Sequence, residues 1–80
     1  MPTILREGPY RFYFYSNEQG DPEHVHIDRE NRSAKFWLNP VSLAHNIRYK
    51  PEELRKLNYL VIVNRIKFLE AWYGYFGKKS

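Results

Sequence analysis

The sequence predicts an α+β fold, in which a small antiparallel sheet of about four strands packs on one long C-terminal helix. The first half of the chain consists of short β-prone runs separated by turn residues, arranged as an N-terminal hairpin and a second hairpin built on the HVH segment. The second half contains a long stretch, between Pro51 and Gly74, without any proline or glycine. Strands that come first and a helix that comes last are typical of the α+β class.

The predicted strands lie between clusters of turn residues. Gly8 and Pro9 mark the first turn, Gly20 and Pro22 lie in a polar loop, and residues 30–33 form a second tight turn. This places the strands at about residues 3–6, 10–16, 24–29 and 34–38. Residues 41–49 fit either a further short strand or a helical turn, because their apolar pattern matches both periods.

In the second strand, alternate side chains are predicted to face opposite sides of the sheet. Tyr10, Phe12 and Phe14 share one face, which we expect to be buried. Arg11, Tyr13 and Tyr15 share the other face, which we expect to be partly exposed, since a tyrosine hydroxyl needs a hydrogen-bond partner or water.

The helix is predicted over about residues 51–76. Pro51 and the acidic residues after it suit a helix start, and Gly77 suits its end. A helical wheel shows one apolar stripe as the expected core face: Leu54, Leu57, Val61, Phe68, Trp72 and Tyr75. A second stripe lies beside it: Ile62, Ile66, Leu69 and Tyr73. One sheet cannot cover both, so the second stripe is a predicted partner surface, to be covered by residues 41–49, by a second copy of the chain or by another protein.

The composition indicates one domain over residues 1–80. A chain of 80 residues that is 42% hydrophobic and 18% aromatic is long enough for one modest core. It has no cysteine, which excludes a disulfide framework and thiolate metal sites. Neither an apolar run long enough for a membrane span nor a leader is visible. We therefore expect a cytoplasmic protein without a membrane association.

The formal net charge of +4 is unevenly distributed along the chain. Residues 1–40 carry five Lys/Arg and six Asp/Glu, whereas residues 41–80 carry eight and three. The basic side chains of the predicted helix do not line up on one side, which favours a solvated face over a phosphate-binding stripe. The histidine-containing segment lies in the acidic half, where a cation site is easier to form than an anion site.

The segment DPEHVHID at residues 21–28 is the first candidate for a metal site. His24, His26 and Asp28 share one face of the predicted strand, about 7 Å from one to the next. Neutral imidazoles bind divalent transition metals, so His24 and His26 are predicted ligands. A loop carboxylate completes the set, with Glu23, Glu18 and Asp21 as alternatives. Asp28 lies about 13 Å from His24, too far to serve the same ion.

General acid–base catalysis is a second interpretation of the same pair. Two histidines with pKa values near neutrality can serve a phosphodiester as base and acid, as in a ribonuclease. Arg11 or Lys35 would bind the phosphate, and Tyr13 and Tyr15 would stack on RNA bases. In a third interpretation the histidines form only the polar face of the strand. His45 has no identifiable partner and is expected to be exposed to solvent.

Several separated motifs closely resemble a family of small bacterial proteins known only as a domain of unknown function. These motifs are MPTILREGPYRFYFYSNE at the start, PEHVHI at 22–27, AKFWL at 34–38 and EAWYGYF at 70–76. The family pattern has a second proline where this chain has Glu23. The resemblance implies that His24, His26, Lys35 and Trp37 belong to the shared pattern. It also implies a partner protein encoded by an adjacent gene, an arrangement similar to toxin–antitoxin pairs.

These observations predict a small cytoplasmic protein that acts with a partner protein, as the toxin-like component of a toxin–antitoxin-type pair. One alternative is a ribonuclease or metal-dependent enzyme that uses the His24/His26 pair, with a divalent transition metal as the cofactor. The other is a non-enzymatic interaction module with structural histidines. Self-association through the C-terminal helix is compatible with each of them.

Overall fold

A computed structural model describes residues 3–15, 18 and 20–77, and shows an antiparallel sheet with two helices packed on one face. The strands follow one another across the sheet in the order of the sequence, and each is hydrogen-bonded to the next: β1 (Thr3–Glu7), β2 (Tyr10–Tyr13), β3 (His24–Arg29), β4 (Arg32–Leu38) and β5 (Val41–Ile47). The helices are α1 (Pro51–Val63) and α2 (Arg65–Phe76). The predicted α+β fold is confirmed.

The sheet has five strands instead of about four, because residues 41–47 pair with β4 as an edge strand. Most side chains of β5 are exposed, and the pairing contains a shift in register after Lys35. Exposure on both faces removes the alternation by which a strand is recognised, which explains the ambiguity of this segment. The turn before β4 consists of only Glu30 and Asn31, so that strand starts earlier than predicted. β2 ends at Tyr13, and Ser16, where the strand was predicted to end, lies outside the described residues.

The single helix predicted over 51–76 is divided at Asn64. The side chain of Asn64 donates a hydrogen bond to the carbonyl of Leu60, at 2.9 Å, and its backbone N–H donates to the same carbonyl at 3.1 Å. An asparagine side chain that bonds to nearby backbone groups competes with regular helix formation, so a break at this residue has a local cause. The helix resumes at once, since the Phe68 N–H donates to the Asn64 carbonyl at 2.9 Å.

The core lies between the helices and one face of the sheet. Leu57, Val61, Phe68 and Trp72 of the predicted core stripe are buried, whereas Tyr75 is exposed. The rings of Phe12 and Phe68 stack with their centroids 5.2 Å apart. Full burial of each such ring stabilises the fold by roughly 2 kcal/mol.

The burial predicted for Tyr10, Phe12 and Phe14 is confirmed. Tyr13, predicted to be partly exposed, is buried, because its hydroxyl donates to the carboxylate of Asp28 at 3.0 Å and needs no water. Within the described part of the chain, no helix is both long and apolar enough to cross a membrane.

Candidate metal centre

The face of the sheet that points away from the helices carries one row of four facing side chains. Tyr13 of β2 lies opposite His26 of β3, His26 lies opposite Lys35 of β4, and Lys35 lies opposite His45 of β5. Neighbouring strands are about 4.8 Å apart, so this cross-strand row extends over roughly 14 Å. The sheet therefore brings two of the three histidines and a lysine together from separate strands.

His24 lies on the same face, two residues before His26, but is completely buried. The ring of Trp72, from α2, packs at a centroid distance of 4.9 Å, and the ring of Trp37, its partner on β4, packs at 5.8 Å. A side chain enclosed in this way cannot touch a substrate. The burial therefore argues against the two-histidine acid–base mechanism and favours an indirect role for His24.

The two ring nitrogens of His24 have different surroundings. Nδ1 lies 2.8 Å from the carbonyl oxygen of Pro22, which only accepts hydrogen bonds, so Nδ1 carries a proton and donates it. In the neutral ring, Nε2 then holds a lone pair. Nε2 lies 3.0 Å from Glu18 Oε1, yet the two atoms do not form a hydrogen bond. Among the described residues, it is the buried side-chain polar atom that lacks a hydrogen-bond partner.

A lone pair that faces a carboxylate oxygen at 3.0 Å is unfavourable unless a positive charge lies between them. A metal ion would satisfy both atoms at once. A histidine that donates from one ring nitrogen to a backbone carbonyl and coordinates with the other is the usual arrangement at metal sites.

Glu18 supplies the carboxylate of this cluster from the loop between β2 and β3. Its Oε1 accepts a hydrogen bond from the Tyr15 backbone N–H at 2.8 Å, and its Oε2 lies 3.0 Å from His26 Nε2. Burial raises the pKa of Glu18. The contacts with His26, the Tyr15 N–H and His24 lower it by more than burial raises it, so the pKa lies below its ordinary value. The carboxylate is therefore ionised at neutral pH.

His26 is partly buried and oriented by aromatic contacts. Its ring stacks on Tyr13 with a centroid distance of 5.2 Å, and the ring of Tyr15 meets it edge-on at 4.9 Å. Burial lowers the pKa of His26 despite the opposing effect of Glu18, and the charges of His24 and Lys35 lower it further. A neutral imidazole is the form that binds a metal ion.

The distances between the three groups suit a single ion. One ligand atom from each of Glu18, His24 and His26 lies within 4.8 Å of the others. In a tetrahedral site with bonds of about 2.0–2.1 Å, two ligand atoms are roughly 3.3 Å apart. From a single oxygen, Glu18 Oε1, the distances to Nε2 of His24 and to Nε2 of His26 are 3.0 and 3.2 Å, close to this value. Two imidazoles and one carboxylate form a set that suits zinc and other divalent transition metals.

The structure brings Glu18, and not Glu23, to the two histidines. Glu23 is one of three predicted alternatives for the carboxylate, with Glu18 and Asp21, and its side chain instead accepts a hydrogen bond from the Tyr73 hydroxyl of α2. Glu23 lies in the bend before β3, so the alternation within the strand does not decide which loop carboxylate approaches the histidines. Asp28 accepts the hydrogen bond from Tyr13 and takes no part in the cluster, as its distance predicted.

Lys35 and Arg11, the predicted phosphate ligands, occupy different surroundings. Lys35 Nζ lies over the ring of Trp37, 4.6 Å from its centroid. Arg11 lies over the ring of Tyr13, also at 4.6 Å, and its Nε donates to Thr3 Oγ1. Only Lys35 is a member of the cross-strand row.

The predicted partner surface is divided by the structure. Leu69 packs against the core, and Tyr73 is partly buried beside Glu23, whereas Ile62 and Ile66 are exposed. The exposed pair continues along the outer side of the helices as an apolar group that we call the outer stripe: Tyr59, Ile62, Val63 and Ile66. These positions follow the spacing of one helix face. β5 does not cover them, because it extends the sheet instead.

A cleft of about 440 Å³ lies over the cross-strand row, with His26 in its wall. Tyr15, Trp37 and Ile47 also line it. Sequence reasoning did not connect His45 with this site, although its predicted exposure is confirmed. The residue reaches the row through the pairing of β5, which the sequence pattern of residues 41–49 does not reveal.

A comparison with family models identifies the chain. Residues 10–73 match the model of a domain of unknown function, DUF4160, and the chain therefore belongs to this family. The match covers most of the chain, including the HVH segment, β4 and both helices up to Tyr73. No curated protein and no solved structure matches the chain significantly.

Proposed function

We propose that this member of the DUF4160 family binds a divalent transition metal through Glu18, His24 and His26 and uses it as a Lewis acid in a hydrolytic reaction. The observation that carries the proposal is the buried Nε2 of His24, which lacks a hydrogen-bond partner and lies 3.0 Å from one oxygen of Glu18, while His26 Nε2 lies 3.0 Å from the other. Zinc is the ion that best suits this ligand set.

The open side of the cluster supports a catalytic site over a purely structural one. Structural zinc sites have four protein ligands, whereas catalytic sites have three and leave one position for water or substrate. His24 closes the cluster on the buried side, but the side chains of Glu18 and His26 are each 14% exposed. The free position would therefore face the cleft that His26 lines.

A bound divalent ion would polarise the substrate and lower the pKa of water. In hydrolysis, the water oxygen bonds to the electrophilic carbon or phosphorus, and the bond to the leaving group breaks. The water proton ends on the leaving group, so no oxidant or reductant is required. Glu18, His24 and His26 would hold the ion, with His24 on its buried side, and the cleft would position the substrate.

Metal binding is tested by titrating the chelator-treated protein with zinc in a calorimeter. We expect one ion per chain, and an affinity at least about a hundredfold weaker in Glu18→Gln or His26→Gln. Glu53→Gln, which removes a carboxylate far from the cluster, should bind zinc like the wild type. Equal zinc affinity in Glu18→Gln and the wild type would refute the site, as would no binding by well-folded protein.

A second role, in partnership with another protein, is supported by the outer stripe. Four large apolar side chains are more than half exposed along one side of the two helices, and contiguous exposed apolar surface of this kind marks interaction sites. We propose a cytoplasmic, toxin-like component of a two-protein pair, whose partner covers this stripe while the metal centre carries the activity.

This second role is tested by expressing the protein with and without the product of the adjacent gene. Growth arrest that the neighbour relieves would support it. Ile66→Asp should keep the arrest but abolish its relief, whereas Glu18→Gln should abolish the arrest itself. If the neighbour relieves the arrest by Ile66→Asp as fully as that by the wild type, the outer stripe is not the partner surface.

A further inference from the structure

We infer that the cleft over the cross-strand row binds single-stranded nucleic acid, which makes a phosphodiester the substrate of the metal centre. The inference rests on the proposed metal function, because His26 belongs both to the metal cluster and to the wall of the cleft. Three properties of this face indicate the substrate class: its aromatic surfaces, its free cation and its charge once metal is bound.

The first property is an exposed aromatic platform beside His26. Tyr15 is 41% exposed, although its ring contacts His26 at 4.9 Å and Tyr13 at 5.4 Å. The two contacts hold the ring in place and leave part of its surface open to the cleft. Unstacked bases bind on such aromatic surfaces of an open sheet, and each stacked base strengthens binding severalfold or more. A base on Tyr15 would place its phosphate close to His26.

The second property is an available cation next to the cluster. Lys35 lies opposite His26 in the sheet register, and Nζ has no ion-pair partner within the described ranges 3–15, 18 and 20–77. Its contact with the Trp37 ring keeps the ammonium group over the sheet surface. Asp28, an acidic residue on the same face, is already bonded by Tyr13. Lys35 is thus free to pair with a phosphate.

The third property is the sign of the charge after metal binding. Without an ion, the negative charge of Glu18 offsets that of Lys35, and the cleft has little attraction for anions. A divalent ion reverses the charge of the cluster, so that the ion and Lys35 both attract a phosphate. The exposed His45 extends the row on the far side of Lys35. Duplex nucleic acid would bring its phosphates but not its bases to Tyr15, so single strands are favoured.

Binding is tested by fluorescence anisotropy of the zinc-loaded protein with a short labelled oligouridylate. The same sequence as DNA, a duplex of the same length, and uridine monophosphate as competitor distinguish polymer from free nucleotide. We expect the single strands to bind, RNA and DNA alike, and the duplex to bind at least about tenfold more weakly. Chelator should weaken single-strand binding, since the charge of the ion is lost.

Matched variants connect the binding to the cleft. Tyr15→Ala and Lys35→Gln should each weaken binding about tenfold, whereas Tyr59→Ala and Lys67→Gln, which remove the same residue types from the exposed helix surface, should not. Calorimetry with zinc is run on all four variants, so that a loss of metal is not mistaken for a loss of the nucleic acid site.

The outcomes separate the two proposals. If zinc binds but the oligonucleotide does not, the nucleic acid inference fails and the metal centre stands. The same conclusion follows if the oligonucleotide binds Tyr15→Ala and Lys35→Gln as tightly as it binds the wild type. If heparin displaces the oligonucleotide as efficiently as unlabelled RNA does, charge alone explains binding and the inference also fails. If the oligonucleotide binds through Tyr15 and Lys35 but zinc does not bind, the metal function fails and the cleft remains a nucleic acid site.

Discussion

Two carboxylates, Glu18 and Glu53, each join the sheet to another part of the chain, but they differ in the partners that surround them. Glu53, in the first turn of α1, accepts a hydrogen bond from Tyr10 at 2.8 Å and one from Arg29 at 2.7 Å, with Arg32 at 3.7 Å. Each of these three groups carries a proton that it can donate to the carboxylate. The hydrogen bond from Tyr10 lowers the pKa of Glu53, and the one from Arg29 lowers it further, although partial burial opposes them.

Glu18 has two imidazoles in the corresponding positions, and Nε2 of one of them has no hydrogen-bond partner. Nδ1 of His24 donates to the Pro22 carbonyl, and Nε2 lies 3.0 Å from Glu18 Oε1. A carboxylate surrounded by donors serves as a structural contact, whereas one beside a buried nitrogen that lacks a hydrogen-bond partner is suited to hold a cation. Buried polar atoms are almost always satisfied, so an exception points to a missing ligand.

The largest expected effect is stabilisation of the Glu18 cluster by zinc. At a zinc concentration about 100 times the Kd, the free energy of unfolding should rise by about 2.7 kcal/mol. For a domain of this size, the melting temperature should then rise by roughly 10 to 20 °C in a thermal scan. Tyr10→Phe should show the same rise and Glu18→Gln none. If zinc leaves the melting temperature of the wild type unchanged, Glu18 is not part of a metal site and does not differ from Glu53 in this respect.

A smaller effect is expected at the Glu53 cluster and should not depend on metal. Tyr10→Phe removes one hydrogen bond to an ionised carboxylate that keeps its arginine partner, which should cost about 1 kcal/mol at pH 7 in urea unfolding. Because the pKa of Glu53 is lowered in the folded state, its contribution is present above its ordinary pKa and is lost as the pH falls through the lowered value.

The cost of Tyr10→Phe should therefore shrink in acid, as Glu53 becomes protonated. Unfolding curves of both proteins at pH 7 and at about pH 3, below the ordinary carboxyl pKa, give this difference directly. A cost that is equal at both values would mean that the hydroxyl contributes through packing and not through the charge of Glu53.

His24→Leu should have a still smaller effect in the presence of chelator, because removal of the buried Nε2 that lacks a partner offsets part of the loss of the Nδ1 hydrogen bond to the Pro22 carbonyl. We expect the free energy of unfolding to change by less than about 1 kcal/mol. With zinc added, the variant should fall well behind the wild type, since only the wild type gains from the ion. A large loss of stability in chelator would instead identify His24 as a structural residue.

The smallest effect is expected on the outer stripe, which contacts neither carboxylate cluster. Ile66 is 62% exposed, so Ile66→Asp should change the free energy of unfolding by no more than about 0.5 kcal/mol. Light scattering after size-exclusion chromatography tests its other role. If the wild type is a dimer through this surface, the variant should be a monomer; a dimer that persists in Ile66→Asp would exclude the stripe as its interface.

Much of the site follows from strand periodicity, and the remainder depends on contacts between distant segments. Alternation places His24 and His26 on one face of β3, because side chains two apart in a strand point in the same direction. It does not indicate that His24 is buried, since the cover comes from Trp72, far along the chain. Nor does it select Glu18 among the loop carboxylates, because a loop has no period.

The fold was predictable in those strands that bury one face and expose the other. β2 and β3 show this contrast with two exceptions: Tyr13 is buried because its hydroxyl donates to Asp28, and His24 is buried beneath the ring of Trp72. The edge strand β5 lacks the contrast, as both of its faces are largely exposed. The break at Asn64 is invisible on a helical wheel, because a single non-helical residue leaves the apolar stripe almost unshifted on either side.

The order of the strands bears on how the metal would be acquired. Each strand pairs with its immediate neighbour in the sequence, so the sheet closes only short loops and should fold fast. Glu18 and His26 are brought together within one such loop, and the sheet and helices already share an apolar core without any ion. Unlike a zinc finger, whose folding waits for its metal, this chain should fold empty and load afterwards, so that metal supply would regulate its activity and add to the stability that the apolar core already provides.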